Sequence, residues 1–260
     1  MSFDSIYTKY MKISIITATF NSAATIEDTI KSVLDQTYPN IEYIIIDGGS
    51  TDGTLDIVDK YKNKIAKIVS EKDNGIFDAF NKGIKLATGD IVGILNSDDF
   101  YAYDSVIQDV VEKFSASSAD TVYGDLEYVD SVDTSKVLRH WKAGEYKRSK
   151  FKAGWMPPHP TFFVKKSLYD EYGGFNTWMK ISNDYELVLR LLYKNNGSAA
   201  YIPKVLIKMR SGGNSDGSLK KRYLANTEDR KAWKINGLKA PFYFAVLKPM
   251  RKLGQFMKNK

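Results

Sequence analysis

Two adjacent carboxylates close an apolar run in this chain. Ile91–Leu95 feeds directly into Asn96, Ser97, Asp98 and Asp99. Five mostly branched apolar residues read as a buried strand, with the polar residues at its carboxyl end. Like charges repel, and no residue nearby in sequence neutralises them. A divalent metal relieves such repulsion, and hard oxygen donors suit Mg2+ or Mn2+. Open α/β sheets also bind ligands outside the carboxyl ends of their strands. On spacing alone, a solvated turn that caps a helix near Asp104 accounts for the pair equally well.

A third carboxylate, Asp184, lies in Ser182-Asn183-Asp184 ahead of the helical apolar face Leu187, Val188, Leu191 and Leu192. A helix N-terminus favours an acid, so these residues alone point to capping. His159 lies among Pro157, Pro158 and Pro160, which fix the backbone around it. It can bind donor phosphate or acceptor hydroxyls, or serve the fold alone. His140 has no such setting and reads as structural. Lys208 and Arg210 precede Gly212 and Gly213 and read as a flexible basic loop able to close over a diphosphate.

These residues need elements to position them. Lys12–Ala18 reads as a strand, followed by a helix through Ile26, Ile30, Val33 and Leu34. Ile41–Ile46 is a second strand, and Leu55, Val58 and Tyr61 mark a second helix. Ile65–Ser70 is a third strand, and Ile76, Phe80 and Ile84 a third helix. With Ile91–Leu95 this makes repeated βα units, hence a mostly parallel, doubly wound sheet. The strands are apolar throughout, as sheets covered on both faces require.

Each strand end offers polar groups. After the first, Phe20 can pack on a flat base while Thr19 and Asn21 donate hydrogen bonds; capping by Asn21 or Ser22 is the simpler role. After the second, Asp47 can accept from a base or ribose, or merely shape its turn, beside Gly48 and Gly49. After the third, Asp73 with Lys72 can reach a nucleotide or form a solvated turn. No Gly-x-Gly-x-x-Gly follows the first strand and no Gly-Lys-Ser/Thr occurs, which sets aside a dinucleotide fold and a P-loop.

In the second half, 120–125, 126–129, 137–141, 162–164 and 198–202 read as strands, and 142–151 as a basic loop. The runs TATFNS, DGGSTDGT, EKDNGIFDAFNKGIKLATGD and NSDD, in this order and spacing, resemble the family 2 inverting glycosyltransferases of GT-A fold, of the bacterial surface-polysaccharide type. The resemblance spans roughly residues 11–215. It implies a Rossmann-like sheet flanked by helices, a nucleotide-sugar half (11–100) and an acceptor half (101–215). It implies a nucleotide-sugar donor, usually a UDP-sugar, and Mn2+ or Mg2+. Ala18–Phe20, with Thr17 and Asn21 flanking, would lie along the base, and Asp47 would hold base or ribose. Asp98 would face the ribose and the metal, and Asp99 the metal. Asn96, where relatives often have Asp, can hydrogen-bond a sugar, with Ser97 beside it. Asp184 falls where relatives carry the general base, while Asn183 replaces an acid. His159, Asp73 and Arg210 complete the expected donor site.

The chain has 260 residues, 43% hydrophobic and 27% charged, with no cysteine, so disulfides and thiolate zinc sites are excluded. No apolar run is long enough to span a bilayer. The first ten residues read as an extension without a signal-peptide core. The net charge of +7 is uneven: residues 219–260 hold 12 Lys or Arg and two acids, Glu228 and Asp229. A body that is slightly acidic argues against nucleic acid as partner. Residues 216–260 read as a basic amphipathic helical tail. Tyr243, Val246, Leu247, Met250, Leu253 and Met257 form an apolar face suited to an anionic membrane surface. Packing on the body, as in a homodimer, is the other use of that face.

The expected activity is sugar transfer to a saccharide or lipid-linked saccharide acceptor, in a cytoplasmic protein peripheral at the inner face of the membrane. A sugar nucleotidyltransferase would need a glycine- and basic-rich loop after the first strand, which Thr19–Ser22 lacks. A non-catalytic lipid-binding module is the remaining alternative.

Overall fold

The computed structural model describes residues 11–212 and 219–244, with side chains from Leu224 onward in the second segment. The first ten residues, Gly213 and the face formed by Val246, Leu247, Met250, Leu253 and Met257 lie outside the described residues.

The first four strands and three helices alternate as the periodicity predicts. They are β1 (Ile13–Thr19), α1 (Ile26–Leu34), β2 (Ile41–Asp47), α2 (Thr54–Asp59), β3 (Lys67–Ser70), α3 (Ile76–Leu86) and β4 (Ile91–Ile94). The second half adds β5 (Asp99–Tyr101), α4 (Val106–Ser117), β6 (Thr121–Val129), β7 (Val137–Trp141), β8 (Phe163–Lys165) and α5 (Lys166–Tyr172). Helix α6 (Asn183–Val188) continues as a π-helical turn through Lys194; β9 (Ala199–Arg210) and α7 (Leu219–Ile235) follow. One nine-stranded sheet runs β3-β2-β1-β4-β8-β6-β9-β5, with β7 on the edge of β6. Pairings among β3, β2, β1 and β4 are parallel; β8, β5 and β7 pair antiparallel, and β6 with β9 parallel.

Both faces of the sheet are covered. Ile13 and Ile15 of β1 pack with α1 and α4, whereas Ile16 and Ala18 pack with α3 and α6. Strand alternation thus feeds two cores, which is why β1 reads as continuously apolar. Gly83 of α3 is needed for the close crossing over β1, since a Cβ there would sit 2.4 Å from Ile16 Cγ2.

Two segments differ from the sequence reading. The stretch from Lys208, expected as a loop, continues β9 through Arg210, where Lys208 pairs with Phe100. Pro203 hides the strand because it lacks a ladder donor; the register against β6 skips from Ile202 to Val205 around it. Second, the segment expected as an appendage from 216 contributes α7 to the body. Ala232, Trp233 and Phe244 are 0%, 2% and 0% exposed. Its two acids, Glu228 and Asp229, are also buried.

Candidate active site

Strand order reverses direction between β1 and β4, and the candidate residues gather at that end of the sheet. The acidic turn Asn96–Asp99 follows β4. It is closed by the Asp99 N–H donating to Asn96 O at 3.1 Å. Three successive carbonyls of this turn are held from outside: Thr25 Oγ1 donates to Ser97 O, an Arg210 N–H to Asp98 O and Thr29 Oγ1 to Asp99 O. Ser97 Oγ also meets Ser22 Oγ at 2.9 Å. Arg210, 8% exposed, further pairs with Asp28 and lies over the Phe100 ring. Its place in β9 makes it a brace of the acidic turn rather than part of a lid.

The two carboxylates differ. Asp98 is half-buried, and Asp99 is 0% exposed. Asn96 Nδ2 donates to Asp99 Oδ2 at 2.8 Å, while Asp99 Oδ1 has no hydrogen-bond partner among the described residues. Burial pushes the Asp99 carboxyl well above its usual range, and the Asp98 charge adds to this. Burial likewise raises Asp98, against its backbone hydrogen bond and Arg210. An enclosed, unpaired carboxylate oxygen behind a half-buried carboxylate suits a hard divalent cation. Among the described residues no group of three His, Cys, Asp or Glu forms a ready metal cage. A cation here would therefore take its remaining ligands from a diphosphate or water.

The base-side expectations divide in the same way. Phe20 is 61% exposed at the end of β1, while Thr17, Ala18 and Thr19 are buried in the strand. Thr17 Oγ1 accepts from Tyr43 OH, so its hydroxyl is engaged inside the sheet. Asn21, at φ 49°, does not cap α1; its Oδ1 accepts from Thr51 N and its own N–H donates to Ser50 Oγ. Asp47 is 0% exposed and organises its loop, accepting from the N–H groups of Gly49 and Ser50 and the hydroxyls of Ser50 and Ser70. Asp73 is the more open carboxylate. A Cβ on Gly48 would lie 2.8 Å from Asp73 Oδ2 and 3.4 Å from the Phe20 ring, so the glycine lets ring and carboxylate close on one surface.

On the acceptor side, the structure joins two residues the sequence left separate. His159 Nδ1 lies 3.5 Å from Asp184 Oδ2, and both line a small cavity with Ile94 at the end of β4. The N-cap of α6 is Ser182, so Asp184 stands inside the first turn and is not the capping residue. Asn183 is fully buried and donates from Nδ2 to Met179 O at 2.7 Å, a bond that a carboxylate cannot make.

Helix α7 then sets the entry to α6. Glu228 accepts from the backbone N–H of Lys180, Ile181 and Ser182 at 3.1, 2.8 and 2.9 Å. Trp233 Nε1 donates to Tyr185 OH, and Asn236 Nδ2 to Glu186 Oε1. Sequence reasoning missed this support. Its signal was present: two adjacent acids in an otherwise basic segment mark a buried partner.

The family 2 glycosyl transferase model matches residues 14–173, more than half of the chain. The chain belongs to glycosyltransferase family 2. It is 31% identical over 180 residues to a PGL/p-HBAD biosynthesis glycosyltransferase of Mycobacterium bovis, covering 68% of each chain. Among solved structures, S. aureus TarS in complex with UDP-GlcNAc superposes with a TM-score of 0.67 at 19% identity, over 91% of this chain and 69% of that one. The mannosyltransferase PcManGT of Pyrobaculum calidifontis, in complex with GDP-Man and Mn2+, superposes at 0.64 and 20% identity, over 93% and 69%. This family 2 glycosyltransferase therefore has the GT-A fold, and none of its described helices is long and apolar enough to cross a membrane.

Proposed function

We propose that this glycosyltransferase moves a sugar, with inversion, from a UDP-sugar to a hydroxyl of a saccharide or lipid-linked saccharide in surface-polysaccharide assembly (O-antigen, capsule or exopolysaccharide). The observation that carries the reading is the His159–Asp184 pair lining one cavity with Ile94, immediately ahead of the acidic turn. With Asp184 as the base, the proton acceptor would lie near the strand end where a diphosphate would leave. UDP and UDP-GlcNAc in TarS structures, and GDP-Man with Mn2+ in PcManGT, support the donor class and the metal.

The Asp184 carboxylate takes the acceptor hydroxyl proton while that oxygen bonds to the anomeric carbon. The bond from this carbon to the diphosphate oxygen breaks on the opposite face, and its electron pair leaves with the diphosphate. One displacement inverts the centre. His159 orients the Asp184 carboxylate and keeps it in place as the proton arrives. Asp98 and Asp99 would hold Mn2+ or Mg2+, which neutralises charge on the leaving diphosphate. The accessible carboxylate is Asp98, so the main contact shifts to it from Asp99. Phe20 and Asp73 form the surface for the base, with Asp47 and Asn21 fixing the loops beneath. Residues 245–260 serve as an anchor on the inner face of the membrane.

Calorimetric titration of UDP with and without Mn2+, followed by a nucleotide-sugar hydrolysis screen, tests the reading. Binding of UDP that ignores Mn2+ removes the metal; no binding of UDP removes the donor. Flotation on anionic liposomes, with and without residues 245–260, tests the anchor.

A further inference from the structure

Beside the catalytic cavity runs a wider, open and mainly polar groove that no step above uses. It is bounded by Phe175, Trp178, Arg190, Lys194, Ile235 and Asn236. Phe175, 9% exposed, lines both the groove and the cavity that holds Asp184, so the two adjoin at its ring.

The groove has a fixed wall. Glu186, 1% exposed, is held by Arg190 through Nε and Nη2 at 3.0 and 3.1 Å. The same guanidinium donates to the carbonyls of Tyr172, Gly173 and Gly174, tying the turn before Phe175 to α6. Arg190 is thereby spent on the protein itself, which leaves Lys194 as the exposed cation among these six residues. That charge pattern suits a neutral, hydroxyl-rich molecule better than a polyanion.

Two large apolar side chains are exposed in this polar setting, Ile235 at 43% and, more fully, an indole. Trp178 is 57% exposed, whereas Trp155 and Trp233 are 4% and 2% exposed. An indole left in water beside a groove is unfavourable until something flat and apolar covers it. A pyranose offers that surface, with C–H groups on its face and hydroxyls around its rim. Lys194 and Asn176, both at the groove, can meet the rim.

We propose that this groove is the acceptor site and takes a saccharide, one ring stacked on Trp178, with the chain leading past Phe175 to Asp184. The inference rests on the assignment of Asp184 as the base.

The test uses the full-length chain, UDP, Mn2+ and the methyl glycosides of glucose, galactose, mannose and N-acetylglucosamine at millimolar concentration. Saturation-transfer NMR reads glycoside binding, and calorimetry reads UDP. At least one glycoside is expected to bind, with transfer strongest to its ring-face protons. Trp178→Ala weakens it about tenfold or more, and Trp178→Phe retains most of it. UDP affinity is the same in all forms, and Asp184→Asn keeps the glycoside signal. Equal glycoside binding by Trp178→Ala and the wild type overturns the groove. So does a wild-type protein that binds UDP but no glycoside. Failure to bind UDP at all overturns the glycosyl-transfer reading, and the acceptor groove with it.

Discussion

Glu42 and Asp99 are both buried carboxylates of one sheet, and they sit at its opposite ends. Glu42, 5% exposed, lies where the strands begin. Ser14 Oγ, Thr88 N and Oγ1, and Lys12 Nζ all donate to it. Burial alone would raise its pKa, but these donors outweigh that and hold it at about 2. Asp99, at the end where strands finish, has a side-chain donor in Asn96 and the Arg210 backbone nearby, set against full burial and a neighbouring charge. Its pKa moves up instead. The same kind of buried group is thus well supplied with donors at one end of the sheet and poorly supplied at the other.

Four measurements sharpen or break this contrast. The largest effect is expected for Asp184→Asn, which removes a proton acceptor and keeps the shape. Turnover should fall by about 10²–10⁴-fold, with UDP affinity and melting temperature nearly unchanged. Retained turnover would return Asp184 to a structural role. Next, Asp98→Asn should weaken Mn2+-dependent UDP binding by about 10–100-fold in calorimetry, with little change in melting. An unaltered Mn2+ dependence would mean that the acidic turn holds no metal.

The third comparison is between the two sheet ends in thermal unfolding. Glu42→Gln should cost about 3 kcal/mol and leave turnover unchanged. In the wild type, the depressed Glu42 pKa contributes stability above its ordinary 4.5, lost as pH falls towards about 2. Asp99 has the opposite sign. Its folded pKa is raised, so the metal-free protein loses stability as pH climbs from 3.8 through the folded value. Asp99→Asn should flatten that limb and hold or raise the melting temperature at neutral pH. A destabilised Asp99→Asn protein would show that the carboxylate is needed for the fold. The smallest effect is expected for Glu228→Gln, which sets an amide donor against backbone donors. It should cost about 1–3 kcal/mol and lower turnover several-fold, with UDP affinity retained. Unchanged turnover would separate α7 from the positioning of Asp184.

Much of this is legible in the sequence. The β1–β4 units announce themselves because each strand and helix carries its own period, and the connections between them are short. The acidic turn is visible because four polar residues follow an apolar strand without a break. Strand β9 was legible only as far as Ile202, since Pro203 is an ordinary stop signal and only pairing with β6 reveals a bulge.

By itself, then, the order of amino acids determines the parallel half of the sheet and the strand end at which the polar candidate residues gather. Local periodicity and turn chemistry suffice for that. Only the tertiary structure decides that Asp98 is half-buried while Asp99 is fully enclosed, because adjacent residues in a turn differ in burial through what packs on them. Only it brings His159 to Asp184, and Glu228 to the amides just ahead of Asp184. Those contacts join segments distant in sequence, and no local pattern records which distant carboxylate will meet a given histidine or backbone amide once the helices have packed.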